Sequence, residues 1–152
     1  KFLSIKYLLV IIIPFLIHTG FWMTKNHPYQ YMYFNFLTGK NVAKNFELDY
    51  WGLSNLSALS YVLKNSDKKQ VRIFVSSVSP YIFSTYMLNE EDQKRIEFVE
   101  FVKDADYLVT NHYYQKGNPI TIKNNLSSRY KLIKEFKVDN ISINSIYKVN
   151  NF

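Results

Sequence analysis

Two short stretches hold the residues whose types suit them to chemistry. The first is His27, Tyr29 and Gln30, which follow a long apolar run and lie just beyond Lys25. Lysine and protonated histidine pair with phosphate, and tyrosine rings favour the boundary between lipid and water. The stretch therefore predicts a contact with a lipid phosphate. The alternative is a plain aromatic anchor at a membrane surface.

The second stretch is Asp49, Tyr50 and Trp51, which lie close to Glu47. Carboxylates accept hydrogen bonds from sugar hydroxyls, and an indole offers a flat apolar face, so these types predict a sugar contact. The alternative is a packed loop in which Trp51 fills the core and Asp49 fixes a turn. A general base at Asp49 would need a raised pKa or a partner, which a sequence does not show.

The remaining polar residues predict little chemistry. Ser76, Ser77 and Ser79, and then Thr110–His112, follow two predicted parallel strands, where ligands bind in α/β folds. They lack the glycines of a phosphate cradle, which leaves a nucleotide site as a minor hypothesis. The chain has no cysteine, and its three histidines show no metal-ligand spacing. We therefore assign no catalytic residue, no metal and no cofactor from the sequence.

An apolar segment near the N-terminus predicts a membrane span. Tyr7–Met23 carries no formal charge, and 17 residues of helix cover about 26 Å, so residues 1–25 with Lys6 at the interface reach the ~30 Å of a bilayer core. One alternative is a signal peptide, although bulky residues rather than a small-residue cleavage site follow the run. The other is a buried core helix.

Charge placement sets the expected side of the membrane and the expected partners. The net charge is +7, but five lysines lie in the first 46 residues, where there is no acid. The rest of the chain mixes both signs, so we expect no nucleic-acid partner. Lys1 and Lys6 precede the apolar run, and this mild bias places the bulk of the chain outside the cytoplasm.

Beyond the span, hydrophobic periodicity predicts an aromatic membrane-proximal segment and loop over 26–52 and an α/β domain over 53–152. A short interfacial helix is expected over 29–36. Strand, helix and strand in succession predict a βαβ unit with parallel strands, and a final hairpin turns at Asp139-Asn140. The domain is predicted to begin with a helix over 54–64, capped by Ser54, and a strand over 71–76. A helix over 90–103 follows, capped by Asn89 and with Ile96, Val99 and Val102 on its apolar face, and then a strand over 106–110. A polar loop over 111–128 leads to hairpin strands over 130–138 and 141–149, with a bulge near Ser145.

Two motifs carry a resemblance to a known family. They are HPYQYMYFN, residues 27–35, directly after the span, and FELDYWGLS, residues 46–54, before the first helix of the domain. The pair resembles the C-terminal region of bacterial multi-span glycosyltransferases similar to dolichyl-phosphate-mannose protein mannosyltransferases. In that family a small extracytoplasmic α/β domain follows the last span. Beyond Leu53 the likeness is one of pattern only.

The resemblance implies transfer of a sugar from a polyprenyl-phosphate donor at the outer face of an inner membrane. The family's catalytic carboxylate lies in an early loop that this sequence does not contain, so the resemblance supplies no catalytic residue. It implies three partners: the lipid bilayer, the lipid-linked sugar donor and the rest of the same polypeptide. The alternative is a non-enzymatic, membrane-anchored binding domain outside the cytoplasm.

Overall fold

A computed structural model of the chain describes residues 5–38, 42–113 and 129–150. The chain forms two compact units, residues 1–40 and 41–152. The first residues of the predicted span and most of the predicted polar loop over 111–128 lie outside the described residues. The helices are α1 (Ile5–Lys25), α2 (Val42–Asn45), α3 (Leu53–Lys64), α4 (Ile82–Thr85) and α5 (Glu90–Arg95), and the strands are β1 (Val71–Val75), β2 (Ile96–Val99), β3 (Tyr107–Thr110), β4 (Tyr130–Val138) and β5 (Ile141–Val149).

Helix α1 is long and apolar enough to cross a membrane. Its 21 residues cover about 31 Å, which matches the hydrocarbon core of a bilayer. None of its residues is buried, unlike those in the core helix of a soluble protein. A signal sequence near an N-terminus has the same length and composition.

The aromatic segment after α1 does not form the single helix predicted over 29–36. It forms two 3-10 turns, Gln30–Met32 and Phe36–Thr38. Tyr33 is extended between them, and its ring packs edge-on against Trp22, 5.0 Å between centroids. The side chain of Asn35 then accepts a hydrogen bond from the Leu37 amide and starts the second turn. Local side-chain bonds have therefore replaced helical ones.

Residues 41–152 form an α/β unit around a five-stranded mixed sheet with the strand order β2-β1-β3-β5-β4. Strands β1, β2 and β3 are parallel, as predicted for β1 and β3, while β5 runs antiparallel to both β3 and β4. The main core lies between α3 and one sheet face. Its fully buried aliphatic residues are Ala58, Leu59, Val62, Val71, Ile73, Val109 and Ile146.

The predicted helix over 90–103 is wrong beyond Arg95. Asn89 caps α5 as predicted, since its side chain accepts a hydrogen bond from the Asp92 amide at 2.8 Å. Ile96–Val99 then forms an edge strand whose backbone pairs with β1. The apolar residues there satisfy both a helical and a strand period, and the Arg95 guanidinium ends the helix by donating to carbonyls that include Ser66 at 2.6 Å.

The C-terminal hairpin is confirmed. Asp139 and Asn140 have φ of 46° and 68°, as a two-residue turn of the right twist requires. The ladder shifts register twice, once around Ile133 and once around Ile143, so the predicted irregularity near Ser145 is present. These bulges rotate the side chains at the turn end of the hairpin and help shape the cleft described below.

Candidate functional site

Asp49 is an architectural residue of the loop that enters α3. Its side chain is fully buried, and Oδ2 accepts hydrogen bonds from the Ser54 amide at 3.3 Å and from the Ser54 hydroxyl. The Asn111 amide group donates to the Asp49 carbonyl at 2.8 Å and to Oδ2 at 3.3 Å. Asp49 thus bonds to the first turn of α3 and ties it to the end of β3, which favours the packed-loop interpretation for this residue.

Much of the FELDYWGLS motif is explained by the same packing. Gly52, rather than the predicted Ser54, is the cap position of α3, with φ of 67°. A Cβ at Gly52 would collide with the hydroxyl of Ser79 and the amide of Asn55. Asn144 donates to the Ser54 hydroxyl at 2.8 Å and links the loop to β5. The motif therefore has a structural role, because it lets the backbone at Gly52 lie close against buried polar side chains that bond to one another.

Tyr50 and Trp51 are adjacent aromatic residues of the motif, and both are exposed. Trp51 is 78% exposed, so the expectation that it fills the core is wrong. The ring of Tyr50 meets Trp51 at 5.0 Å and Tyr113 at 5.2 Å between centroids, both edge-on. The three rings form an aromatic row on the surface beside the ends of β1 and β3.

The sheet brings together the polar residues that follow β1 and β3, as the parallel arrangement predicts. Ser77 donates to the side chain of Asn111, and the Ser79 hydroxyl accepts from Asn55 at 3.0 Å. The Ser79 amide donates to the Ser77 hydroxyl at 3.1 Å. Ser77, Ser79 and Asn111 therefore belong to a packed polar layer in which the buried Ser76 hydroxyl has no partner, and the described residues offer no cradle for a phosphate at this edge.

An open cleft of about 510 Å³ lies beside this layer. Its walls are the segment before α3, the end of β3 and the turn end of the hairpin. Its lining combines aromatic rings, carboxylates and hydroxyls from Phe46, Glu47, Leu48, His112, Tyr113, Glu135, Asn140, Ile141, Ser142, Ser145 and Tyr147.

His112 organises the floor of this cleft. Its backbone adopts φ of 59°, a left-handed conformation that histidine tolerates better than most residues. Its Nε2 lies 2.9 Å from the hydroxyl of Ser145 and 3.2 Å from that of Ser142. The two hydroxyls are 3.3 Å apart. The left-handed turn after β3 thus brings the imidazole onto the hairpin.

Glu135 and Tyr113 set the electrostatics of the cleft. The hydrogen bond from Lys137, 2.7 Å away, lowers the pKa of Glu135 despite partial burial, and the Ser142 hydroxyl and the nearby His112 lower it further. Burial raises the pKa of Tyr113, and the charge of Glu47 adds to the effect. At neutral pH the cleft therefore offers an ionised acceptor and a neutral phenol.

This arrangement suits binding better than catalysis. Ser145 is fully buried and cannot reach a substrate. The Ser142 hydroxyl lies 3.2 Å from Nε2 of His112 and 3.3 Å from the Ser145 hydroxyl, and it also bonds to Glu135, so it belongs to a hydrogen-bond network rather than to an isolated pair with the imidazole. A serine nucleophile is activated by passing its proton to one adjacent base. Across residues 5–38, 42–113 and 129–150, no cluster of histidine and carboxylates is suited to holding a metal ion.

Sequence reasoning found part of this cleft. It singled out Glu47 and His112 but missed Glu135, Ser142 and Ser145. The sequence feature that could have identified them is the hairpin turn at 139–140, because its position determines which residues pair across the two strands. The bulges then change that pairing, so that Glu135 lies opposite Ser145. A bulge position is a tertiary property, which explains the omission.

The membrane-exit stretch lies in the other unit and is described separately. His27 is exposed, and its Nδ1 lies 2.6 Å from the Gln30 amide nitrogen. The ring of Tyr29 meets that of Tyr31 edge-on at 6.5 Å. Gln30 thus orients the imidazole while the exposed ring remains open to a ligand. The lipid-phosphate contact stays a prediction.

Comparison with known proteins adds no relative: no protein-family model, no curated protein and no solved structure matches the chain.

Proposed function

We propose that this chain is the C-terminal part of a membrane glycosyltransferase that uses a polyprenyl-phosphate-linked sugar, and that its α/β unit recognises a saccharide acceptor rather than catalysing transfer. The observation that supports recognition is the cleft around His112, which the ionised carboxylate of Glu135, the hydroxyl of Ser142 and the phenol of Tyr113 line beside aromatic rings. Alternating hydrogen-bond acceptors and donors next to flat apolar faces match the hydroxyls and ring faces of a sugar.

The transferase part of the proposal depends on α1 and the two motifs. A helix of bilayer length is followed directly by His27, Tyr29 and Gln30, whose types suit the phosphate of a lipid carrier. In this account Tyr50, whose ring meets that of Tyr113 in the cleft lining, remains available to a ligand, whereas Asp49 supports the loop that presents it. The reacting groups belong to a part of the enzyme outside this sequence.

A non-enzymatic, membrane-anchored binding domain is the second candidate. It is favoured by the binding character of the cleft and needs no further catalytic part.

A transfer assay on membranes that contain the full-length gene product separates the two candidate functions, with polyprenyl-phosphate sugar as donor and Glu135→Gln as the cleft variant. Transfer with a raised KM for the acceptor and a retained kcat supports the transferase. Membranes that bind saccharide but transfer none support the binding domain.

The proposed location, with the α/β unit on the periplasmic face of an inner membrane, has its own test. The chain has no cysteine, so a single cysteine at Lys68, whose side chain is 58% exposed, reports accessibility. We expect a membrane-impermeant thiol reagent to label it in intact spheroplasts. Ser76→Cys, at a buried position, is the control that reacts only after unfolding. Labelling of Lys68→Cys only after lysis would place the unit in the cytoplasm.

A further inference from the structure

Large apolar side chains are exposed along two segments of the α/β unit that carry no charge at the surface. Residues 51–63 and residues 76–89 contain no lysine, arginine, aspartate or glutamate. The exposed apolar residues of these segments define what we call the apolar face: Trp51, Leu53, Val78, Ile82, Phe83, Tyr86 and Met87.

The two segments meet in the folded unit. The Asn55 amide near the start of α3 donates to the Ser79 hydroxyl just before α4, and Gly52 lies directly against Ser79. Tyr81 and Thr85 bury the inner side of α4. The other side chains of this short helix and its end are therefore turned outward beside the start of α3.

Four side chains of the apolar face are largely exposed. Phe83, Tyr86 and Met87 are 66%, 69% and 71% exposed, and Trp51 is 78% exposed. Contiguous apolar patches of more than a few hundred Å² are rare on soluble monomers and mark binding to a protein or a membrane. Tryptophan, tyrosine and phenylalanine without neighbouring charge are typical of surfaces that enter the headgroup region of a bilayer.

The predicted membrane span supports the lipid bilayer as the partner of the apolar face. Residues 26–50 join α1 to the apolar face, and 25 residues extend to at most about 90 Å. A unit of this size has a radius of gyration of only about 13 Å, so an anchored chain keeps it permanently close to the bilayer. The apolar face begins at Trp51, where this connection ends. This step depends on the membrane anchor of the proposed function.

We propose that the apolar face of the α/β unit docks on the lipid bilayer, with Trp51 and Phe83 inserted among the headgroups. Docking removes these exposed apolar side chains from water, and the two segments that carry them contain no charged residue. It also fixes the orientation of the unit on the membrane, so that the cleft faces a saccharide at a defined height above the bilayer.

Trp51 reports on this docking directly. The chain has two tryptophans, Trp22 in α1 and Trp51, so Trp22→Phe leaves Trp51 as the sole indole. The full chain with this change is reconstituted into phosphatidylcholine vesicles whose acyl chains carry bromine close to the headgroup. Insertion by about 5–10 Å brings the ring within reach of the bromines, so we expect emission to fall roughly twofold against unbrominated vesicles.

Charge variants identify the face. In the Trp22→Phe background, Phe83→Glu and Met87→Glu are expected to restore the emission, because a carboxylate resists entry into the headgroup boundary. Leu132→Glu is the matched control, since Leu132 is also exposed but lies on β4 outside the apolar face. Quenching that survives both variants on the face, or that Leu132→Glu removes equally, would overturn the assignment.

The remaining outcomes separate this inference from the proposed function. A chain that does not float with the vesicles shows that the anchor itself is wrong. A chain that floats while Trp51 is quenched by aqueous iodide and not by bromolipid overturns docking alone. Protection of Trp51 from both quenchers identifies protein as the occupant, either a second copy or the rest of the polypeptide, and also overturns docking on lipid.

Discussion

The substitution of Asp49 by alanine separates architecture from recognition within the FELDYWGLS motif. It removes the acceptor of the Ser54 amide, the Ser54 hydroxyl and one bond from Asn111. Loss of a side-chain acceptor for an amide in the first turn of a helix costs about 1 kcal/mol, and each buried donor left without a partner costs about 1–3 kcal/mol. The Ser54 hydroxyl can turn to the carbonyl of Ile143, 3.4 Å away, which recovers part of that loss.

We therefore expect Asp49→Ala to lower the free energy of unfolding by roughly 3–5 kcal/mol. Asp49→Asn retains one acceptor oxygen and should lose less. Trp51→Ala is the matched neighbour, and because its ring is 78% exposed we expect a change within about 0.5 kcal/mol.

The assay is urea unfolding of the chain in mild detergent, followed by near-ultraviolet circular dichroism, which reports tertiary packing of the aromatic side chains. A loss of this size moves the midpoint down by roughly 1–5 M urea. An unchanged midpoint for Asp49→Ala, or an equal shift for Trp51→Ala, would refute the division of the motif into a buried acceptor and an exposed aromatic pair.

Three further predictions follow from the same packing. Gly52→Ala should destabilise the unit by at least about 1–2 kcal/mol, because φ is positive and the new Cβ collides with buried polar groups; thermal unfolding checks this, and an unchanged melting temperature would contradict it. Burial alone would raise the pKa of Asp106, but the hydrogen bonds and charges of Lys68 and Arg72 outweigh it and lower the pKa. The contribution of ionised Asp106 to the free energy of unfolding is therefore present above about pH 4 and is lost as the pH falls through the lowered pKa. Asp106→Asn should cost roughly 1–3 kcal/mol at pH 7 and almost nothing in acid, a difference that urea titrations at several pH values measure. Ile73→Asp, in the main core, should prevent folding, whereas Val99→Asp on the edge strand β2 should lower the free energy of unfolding by only roughly 1–3 kcal/mol. A larger loss for Val99→Asp than for Ile73→Asp would show that the core is misplaced.

Local patterns predicted the elements whose signals are local. The periodicity of α3, the cap at Asn89 and the Asp139-Asn140 turn all depend on neighbouring residues, and each is present. The residues after Arg95 satisfy both helical and strand periods. Pairing with β1 decides between them, and that pairing is remote in sequence. This is why the predicted helix was too long.

The candidate site divides in the same way. Residue types at Asp49 and Trp51 suggested a contact with sugar, but only the fold shows that the carboxylate is turned inward and the indole outward. The cleft residues Glu135 and Ser142 lie on the hairpin, far in sequence from His112. Their convergence depends on strand order and on bulges, which a single sequence does not display.

Saccharide binding to the cleft is the measurement that bears most directly on the account. The full chain in nanodiscs is tested by saturation-transfer NMR with free glucose, mannose, N-acetylglucosamine and their disaccharides. We expect transfer to at least one sugar, with the signal lost in a Glu135→Gln, Ser142→Ala double variant and retained in the Leu132→Glu control. No transfer to any of these sugars, or equal transfer in wild type and the double variant, would contradict recognition by this cleft.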